Sequence, residues 1–275
     1  MRRFWTRGLR GGRVARAFFD MGFSTAINYP LDFFMSALRP LVPVVTFFFV
    51  AQLVSDTDSV GSDYYSFVIL GFLVTEALQG ALAGFTREVQ IAIQQGRFEM
   101  LLVEPVPWML LPFGLAVWPV ILRIALAGFA GLVATFFGAD FQFSGLAMAI
   151  LLLTLGTGAS LSIGVFSGSI GVLSKRSDPV LTVYTIVAGI LSGVAFPIDL
   201  LPAPVRAASW LIPHTYVITG IRKLLLPNGA DISGPTVFQS TIALSVFMVL
   251  GFPLALWSYH QIMEAGRRTG VLSGY

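Results

Sequence analysis

No cysteine occurs anywhere in the sequence, which excludes disulfides, thiolate metal sites and cysteine nucleophiles. Histidine is almost as scarce: His214 and His260 are the only two, too few for a histidine-built metal centre. Paired carboxylates, a His-Glu metal motif and a serine with a nearby base are also missing, and these are the groups an intramembrane enzyme needs to converge on its substrate. No Gly-x-x-x-x-Gly-Lys-Ser/Thr phosphate loop is present, and lysine never follows glycine, so ATP binding by that route is not expected. Charge is the last shortage. Only 11% of the 275 residues are Asp, Glu, Lys or Arg, against roughly 25% in a soluble domain.

What fills the sequence instead is apolar: 56% of residues are hydrophobic and the mean hydropathy is +0.82. Water could not solvate such a chain, and the apolar runs are long enough to cross a hydrocarbon core about 30 Å thick. The pattern predicts an all-α membrane protein with six spans, at 33–54, 64–85, 108–137, 143–173, 178–200 and 236–259. No internal repeat or low-complexity segment is evident, so one transmembrane domain over 32–260 is expected, between a basic amino-terminal segment over 1–31 and a tail over 261–275.

Charge distribution sets the expected topology. The first connector holds Asp56, Asp58 and Asp63 without a base, whereas Arg87 and Arg97, Lys175 and Arg176, and Arg267 and Arg268 fall in the second connector, the fourth and the tail. Together with Arg2, Arg3, Arg7, Arg10, Arg13 and Arg16, these put both termini in the cytoplasm by the positive-inside rule. The amino-terminal segment is too long and too basic for an ordinary signal peptide. Over 13–25, helical spacing puts Val14, Phe18, Met21 and Thr25 on one face and Arg13, Arg16 and Asp20 on another, as in an interfacial helix, while Phe19 and Phe23 blur the division.

The fifth connector is not hydrophilic. Pro202, Pro204 and Pro213 cut it into two expected half-helices, 203–212 and 216–226, that dip into the outer leaflet and return; irregular backbone at that depth needs shelter from protein. Arg206, Arg222 and Lys223 would then lie at the outer mouth, where lipid phosphate is the favoured contact and an anionic head group leaving the pore the second. His214, beside Pro213, reads as a hydrogen-bonded structural histidine before a proton relay. Glu76 and Arg123 fall at mid-depth on adjacent spans: an ion pair joining spans two and three is the first reading, a cargo contact the second. Arg39, nearer the start of span one, is expected to snorkel. Gly80 with Gly84 and Gly164 with Gly168 permit close helix approach, either within the bundle or between subunits.

The segment REVQIAIQQGRFEMLLVEP over 87–105 is too ordered for a spacer. Its first part can form a short amphipathic helix that Gly96 ends, and a second begins before Pro105 interrupts it. Such a helix either docks a soluble partner or lies in the interface without one.

This segment resembles the coupling region of ABC-2 type permeases, in which a glutamate-bearing helix precedes a Gly-Thr-hydrophobic-Glu run, a leucine pair and a proline. Arg97 and Glu104 depart from the small hydroxyl residues usual there. Ser192 to Pro197, Leu201-Pro202, Ile212 to Tyr216 and Gly220 to Lys223 are similar to the family's fifth span and re-entrant helices, and the basic amphipathic helix before six spans completes the likeness. The resemblance implies a permease subunit of an ATP-driven exporter, paired with a second permease subunit as a homo- or heterodimer. ATP and Mg would be held by a separate ATPase subunit, with no cofactor or metal on this chain and no nucleic-acid partner. Glu88, Gly96, Arg97, Phe98, Glu99 and Pro105 would form the joint to the ATPase. The implied cargo is an amphipathic small molecule, a drug-like compound or a lipid-linked molecule; a polysaccharide or glycolipid permease is the alternative. An ATP-independent channel or carrier is a third reading that would want an unpaired ionisable relay or inverted repeats.

Overall fold

The computed structural model describes residues 2–55, 61–94, 110–174 and 179–269, and these are almost entirely helical. The helices are α1 Arg2–Asn28, α2 Pro30–Leu38, α3 Leu41–Ser55, α4 Gly61–Gln94, α5 Leu111–Phe136, α6 Leu146–Ser174, α7 Pro179–Leu191, α8 Ala203–Ser209, α9 Pro213–Leu225 and α10 Val237–Thr269, with 3-10 turns at Ile198–Leu200 and Gly229–Asp231. Among the described residues, five stretches are long and apolar enough to cross a membrane: Pro30–Leu53, Tyr64–Ala92, Leu111–Phe136, Leu146–Gly171 and Val237–Glu264. The first joins α2 to α3 through a turn at Arg39 and Pro40, where proline cannot donate the helical hydrogen bond back to Ser36.

The expected fifth span is shorter than the pattern suggested. Helix α7 stops at Leu191, and 13 residues rise only about 20 Å, short of a hydrocarbon core of about 30 Å. The cause is local: Gly193 has a positive φ of 71°, the left-handed conformation in which glycine ends helices.

Helix α4 is the hub of the bundle. It packs most extensively on α5 and α6, and also on α3 and α9. Glycine makes the tight contacts possible. A Cβ on Gly80 or Gly84 would strike α5 at Pro119, and a Cβ on Gly164 or Gly168 would strike α4 at Leu82 and Phe85. Both expected small-residue pairs therefore serve packing within the bundle, where close backbones gain dispersion contacts. Thr86 adds a hydrogen bond across the α4–α6 contact, its hydroxyl donating to the Gly164 carbonyl at 3.2 Å.

The segment after the Ile198–Leu200 turn forms two helices either side of a break at 210–212. Hydroxyls fasten that break: Thr215 donates to the Ser209 carbonyl at 2.7 Å and Tyr216 to the Trp210 carbonyl at 2.9 Å. Helix α9 is buried along most of its length against α4, α6 and α10, so protein satisfies its surface.

Candidate functional site

At one end of the bundle, four helices converge. The last turns of α4 (Phe85, Val89, Ala92), the first of α5 (Leu111, Leu115), Val165 of α6, and Ala255, Tyr259 and Met263 of α10 form one buried apolar cluster. Phe18 of α1 packs on it. A Cβ on Gly114 would collide with Phe18, and one on Gly22 with Trp118. Phe19 and Phe23 meet Trp118 edge-on at centroid distances of 5.4 and 5.8 Å. The two phenylalanines that blurred the amphipathic pattern are thus the docking residues, because the i, i+4 pairs Phe18/Gly22 and Phe19/Phe23 make adjacent stripes. Met21 faces outward, half exposed, while Arg16 and Asp20 form an exposed i, i+4 pair at 3.8 Å. The Arg13 and Val14 side chains are outside the described ones.

From this footing the chain enters 95–109. Gly96, Arg97, Phe98, Glu99 and Pro105 lie outside the described residues, as do Asp56, Asp58, Lys175 and Arg176. Glu88 is described, half-buried in α4. The amphipathic stretch expected as a separate helix ended by Gly96 is instead, as far as Gln94, the continuation of α4, unbroken from Gly61 to Gln94, since no proline lies in that range and no glycine falls between Gly84 and Gly96.

Half-way along the bundle, Arg123 of α5 donates through Nη1 to Glu76 Oε1 of α4, and their side chains are only 15% and 16% exposed. A lone charge at this depth would cost on the order of 3 kcal/mol, which explains why the two spans place their ions opposite each other. Glu76 also borders a half-open cavity of about 330 Å3 between the α2–α3 turn and α4, lined by Arg39, Pro40, Val42, Pro43, Val44, Ile69, Phe72 and Leu73 besides. Glu76 therefore faces both Arg123 and this cavity. Arg39 was expected near a span end, yet it falls well inside Pro30–Leu53.

At the opposite end, Arg222 departs from its expected place. It is 3% exposed, and its guanidinium donates to the carbonyls of Phe67 at 3.0 Å, Gly193 at 2.7 Å, and Val194. Its Cζ lies 3.5 Å from the centroid of the Phe67 ring. The side chain is a clamp tying the turn after α7 to α9 and α4, and is not placed to meet lipid phosphate. Gly71 makes room for it: a Cβ there would collide with the guanidinium and the Val194 carbonyl. Arg206 and Lys223, expected beside it, stay at the protein surface. Arg206 pairs with Asp199 at 3.6 Å, and Lys223 Nζ donates to the Gly234 carbonyl at 3.1 Å.

His214 lies in α9, between the candidate spans, and is 2% exposed. Its Nδ1 is 2.9 Å from the Tyr184 hydroxyl, which fits the expected structural histidine, and burial pushes its pKa down to about 4. Sequence could not supply Tyr184, Phe67 or Gly193 as partners, because each is brought up from a distant helix. Among the described residues, no group of three or more His, Cys, Asp or Glu could hold a metal ion.

A family model described as ABC-2 type transporter matches residues 23–226. No curated protein matches the chain.

Proposed function

Because the chain belongs to the ABC-2 type transporter family, we propose that it is the membrane-spanning subunit of an ATP-driven exporter, one of two permease subunits, driven by a separate nucleotide-binding subunit holding ATP and Mg. The family membership makes it a multi-pass transport subunit that is not itself catalytic. The proposed cargo is an amphipathic small molecule, drug-like compound or lipid-linked molecule, moved out of the cytoplasm or inner leaflet.

The observation that carries the mechanism is the buried cluster joining the ends of α4 and α10 to the start of α5 and to α1. It supports a coupling role for 95–109, because both flanks of that segment are rooted in one packed unit. Helix α4 is a continuous rod of 34 residues, about 50 Å long, and close-packed interiors transmit strain with little compression. A displacement at its end therefore reaches the Glu76–Arg123 pair and the Phe67–Arg222 clamp on the same helix. In this reading the α1 end faces the cytoplasm with both termini, and α8 and α9 form the outer re-entrant segment. The basic residues of the amino-terminal segment, the second and fourth connectors and the tail support that orientation.

Glu88, Gly96, Arg97, Phe98, Glu99 and Pro105 are the proposed joint. The test is ATPase activity of the reconstituted complex. Glu99→Arg should leave membrane insertion intact and abolish stimulation of the ATPase; full stimulation in that variant would remove the coupling assignment.

A further inference from the structure

Three ionisable side chains sit well inside candidate spans: Arg39 is the tenth residue of the 24-residue stretch Pro30–Leu53, Glu76 the thirteenth of the 29-residue stretch Tyr64–Ala92, and Arg123 the thirteenth of the 26-residue stretch Leu111–Phe136. Glu76 and Arg123 neutralise each other. Arg39 is different: its guanidinium makes no ion pair or hydrogen bond among the described residues, and the side chain is exposed. An unpaired cation inside a span is costly and, as a rule, marks a site.

Arg39 and Glu76 line the same half-open cavity of about 330 Å3. That volume is at the small end for ligand sites, roughly 300–1,000 Å3, enough for a head group and the first carbons of a chain whose remainder continues into lipid. Val42, Val44, Ile69, Phe72 and Leu73 make the wall apolar. The charges sum to a single positive one: Arg39 and Arg123 against Glu76.

We propose that this cleft binds a membrane amphipath with one anionic head, of the phosphate-diester class, on an acyl chain. Arg39 pairs with the head, and its planar fork suits a phosphate bidentately. Glu76 limits the head to a single negative charge, because a second would face its carboxylate. Phe72, Leu73 and Val42 take up the first part of the chain, where burial of apolar area supplies the remaining affinity. The site does not depend on ATP-driven transport, so it stands or falls separately from the proposed function.

The experiment titrates the full chain in neutral detergent with dioctanoyl phosphatidylglycerol, with dioctanoylglycerol, which has the same chains and no phosphate, and with inorganic phosphate, followed by native mass spectrometry. The expected result is one saturable phosphatidylglycerol, with dioctanoylglycerol weaker by about tenfold or more, as loss of a charge-assisted hydrogen bond implies, and free phosphate weaker by about a similar factor for want of the buried chain. Arg39→Gln should lose the preference by a similar factor, and Val42→Trp should block binding with the charges intact, both at an unchanged thermal midpoint. Should either variant fail to fold, the other with the three-ligand comparison still decides. Equal binding of phosphatidylglycerol and dioctanoylglycerol, or unaltered binding in Arg39→Gln, would overturn the proposal. Phosphate binding as tightly as the lipid would reduce the site to an anion contact and overturn the amphipath assignment. If Arg39→Gln instead converts a dimer to a monomer while lipid is never retained, the cleft belongs to a second copy of the chain, and the proposal again fails.

Discussion

The Glu76–Arg123 pair shows which single residues the sequence could place. Both are isolated charges in apolar runs, so the cost of burying either one alone demands a partner at equal depth. Arg222 carries the same charge in a less apolar context, and nothing nearby in sequence announces that it will be buried. Its acceptors are the carbonyls of Phe67, Gly193 and Val194, and backbone carbonyls leave no side-chain signature. The energetics of the pair are testable. Glu76→Gln should destabilise the detergent-solubilised chain by about 3–5 kcal/mol, because it strands the guanidinium, whereas Glu76→Leu combined with Arg123→Leu should recover most of that loss. A denaturation series that gives additive losses for the two sites would contradict the pairing. His214 supplies a pH prediction. Its folded pKa of about 4 lies below the ordinary value of 6.5, so as pH falls the unfolded chain takes up the proton first. The histidine's contribution is therefore complete above about pH 6.5 and declines progressively toward pH 4. Thermal midpoints measured from pH 7.5 to pH 4.5 should fall less steeply in His214→Gln than in the parent.

At the scale of elements, apolar run length placed five of the six expected spans on long apolar helices, and their ends poorly. Helix α4 passes through the expected end at 85 to Gln94, because apolar Val89 and Ala92 are buried against neighbouring helices and only tertiary packing reveals that. Helix α7 stops at Leu191 despite an apolar continuation, since the left-handed Gly193 and the Arg222 clamp capture the turn. Glycine spacing, by contrast, was legible as close approach but not as to which helix approaches. The structure resolves this in favour of α4, and a pair of substitutions checks it. Gly164→Leu would drive a side chain into the backbone of α4 at Ala81 and Leu82, where overpacking costs about 1–3 kcal/mol or more. A Cβ on Gly128 meets nothing within 4 Å, so Gly128→Leu should not lower the thermal midpoint. Equal destabilisation by both would contradict the described α4–α6 contact.

For the whole molecule, composition led from sequence to a membrane protein, the resemblance of 87–105 and 192–223 led on to a permease, and the described geometry adds the way its parts are joined. One end roots α1, α4, α5 and α10 in a single cluster; the other ties α4, α9 and the turn after α7 through Arg222. Helix α4 belongs to both, so it is the natural path for work done at the α1 end. That account requires an engine outside the sequence described, since the chain holds no phosphate loop. The most direct test is to purify the chain in mild detergent from its native membranes and identify co-purifying proteins by mass spectrometry. The account predicts an ATPase subunit bearing a phosphate loop, retained by the parent chain and lost from Glu99→Arg; its absence under conditions that preserve other membrane complexes would contradict an ATP-driven permease and favour a channel or carrier that works without ATP.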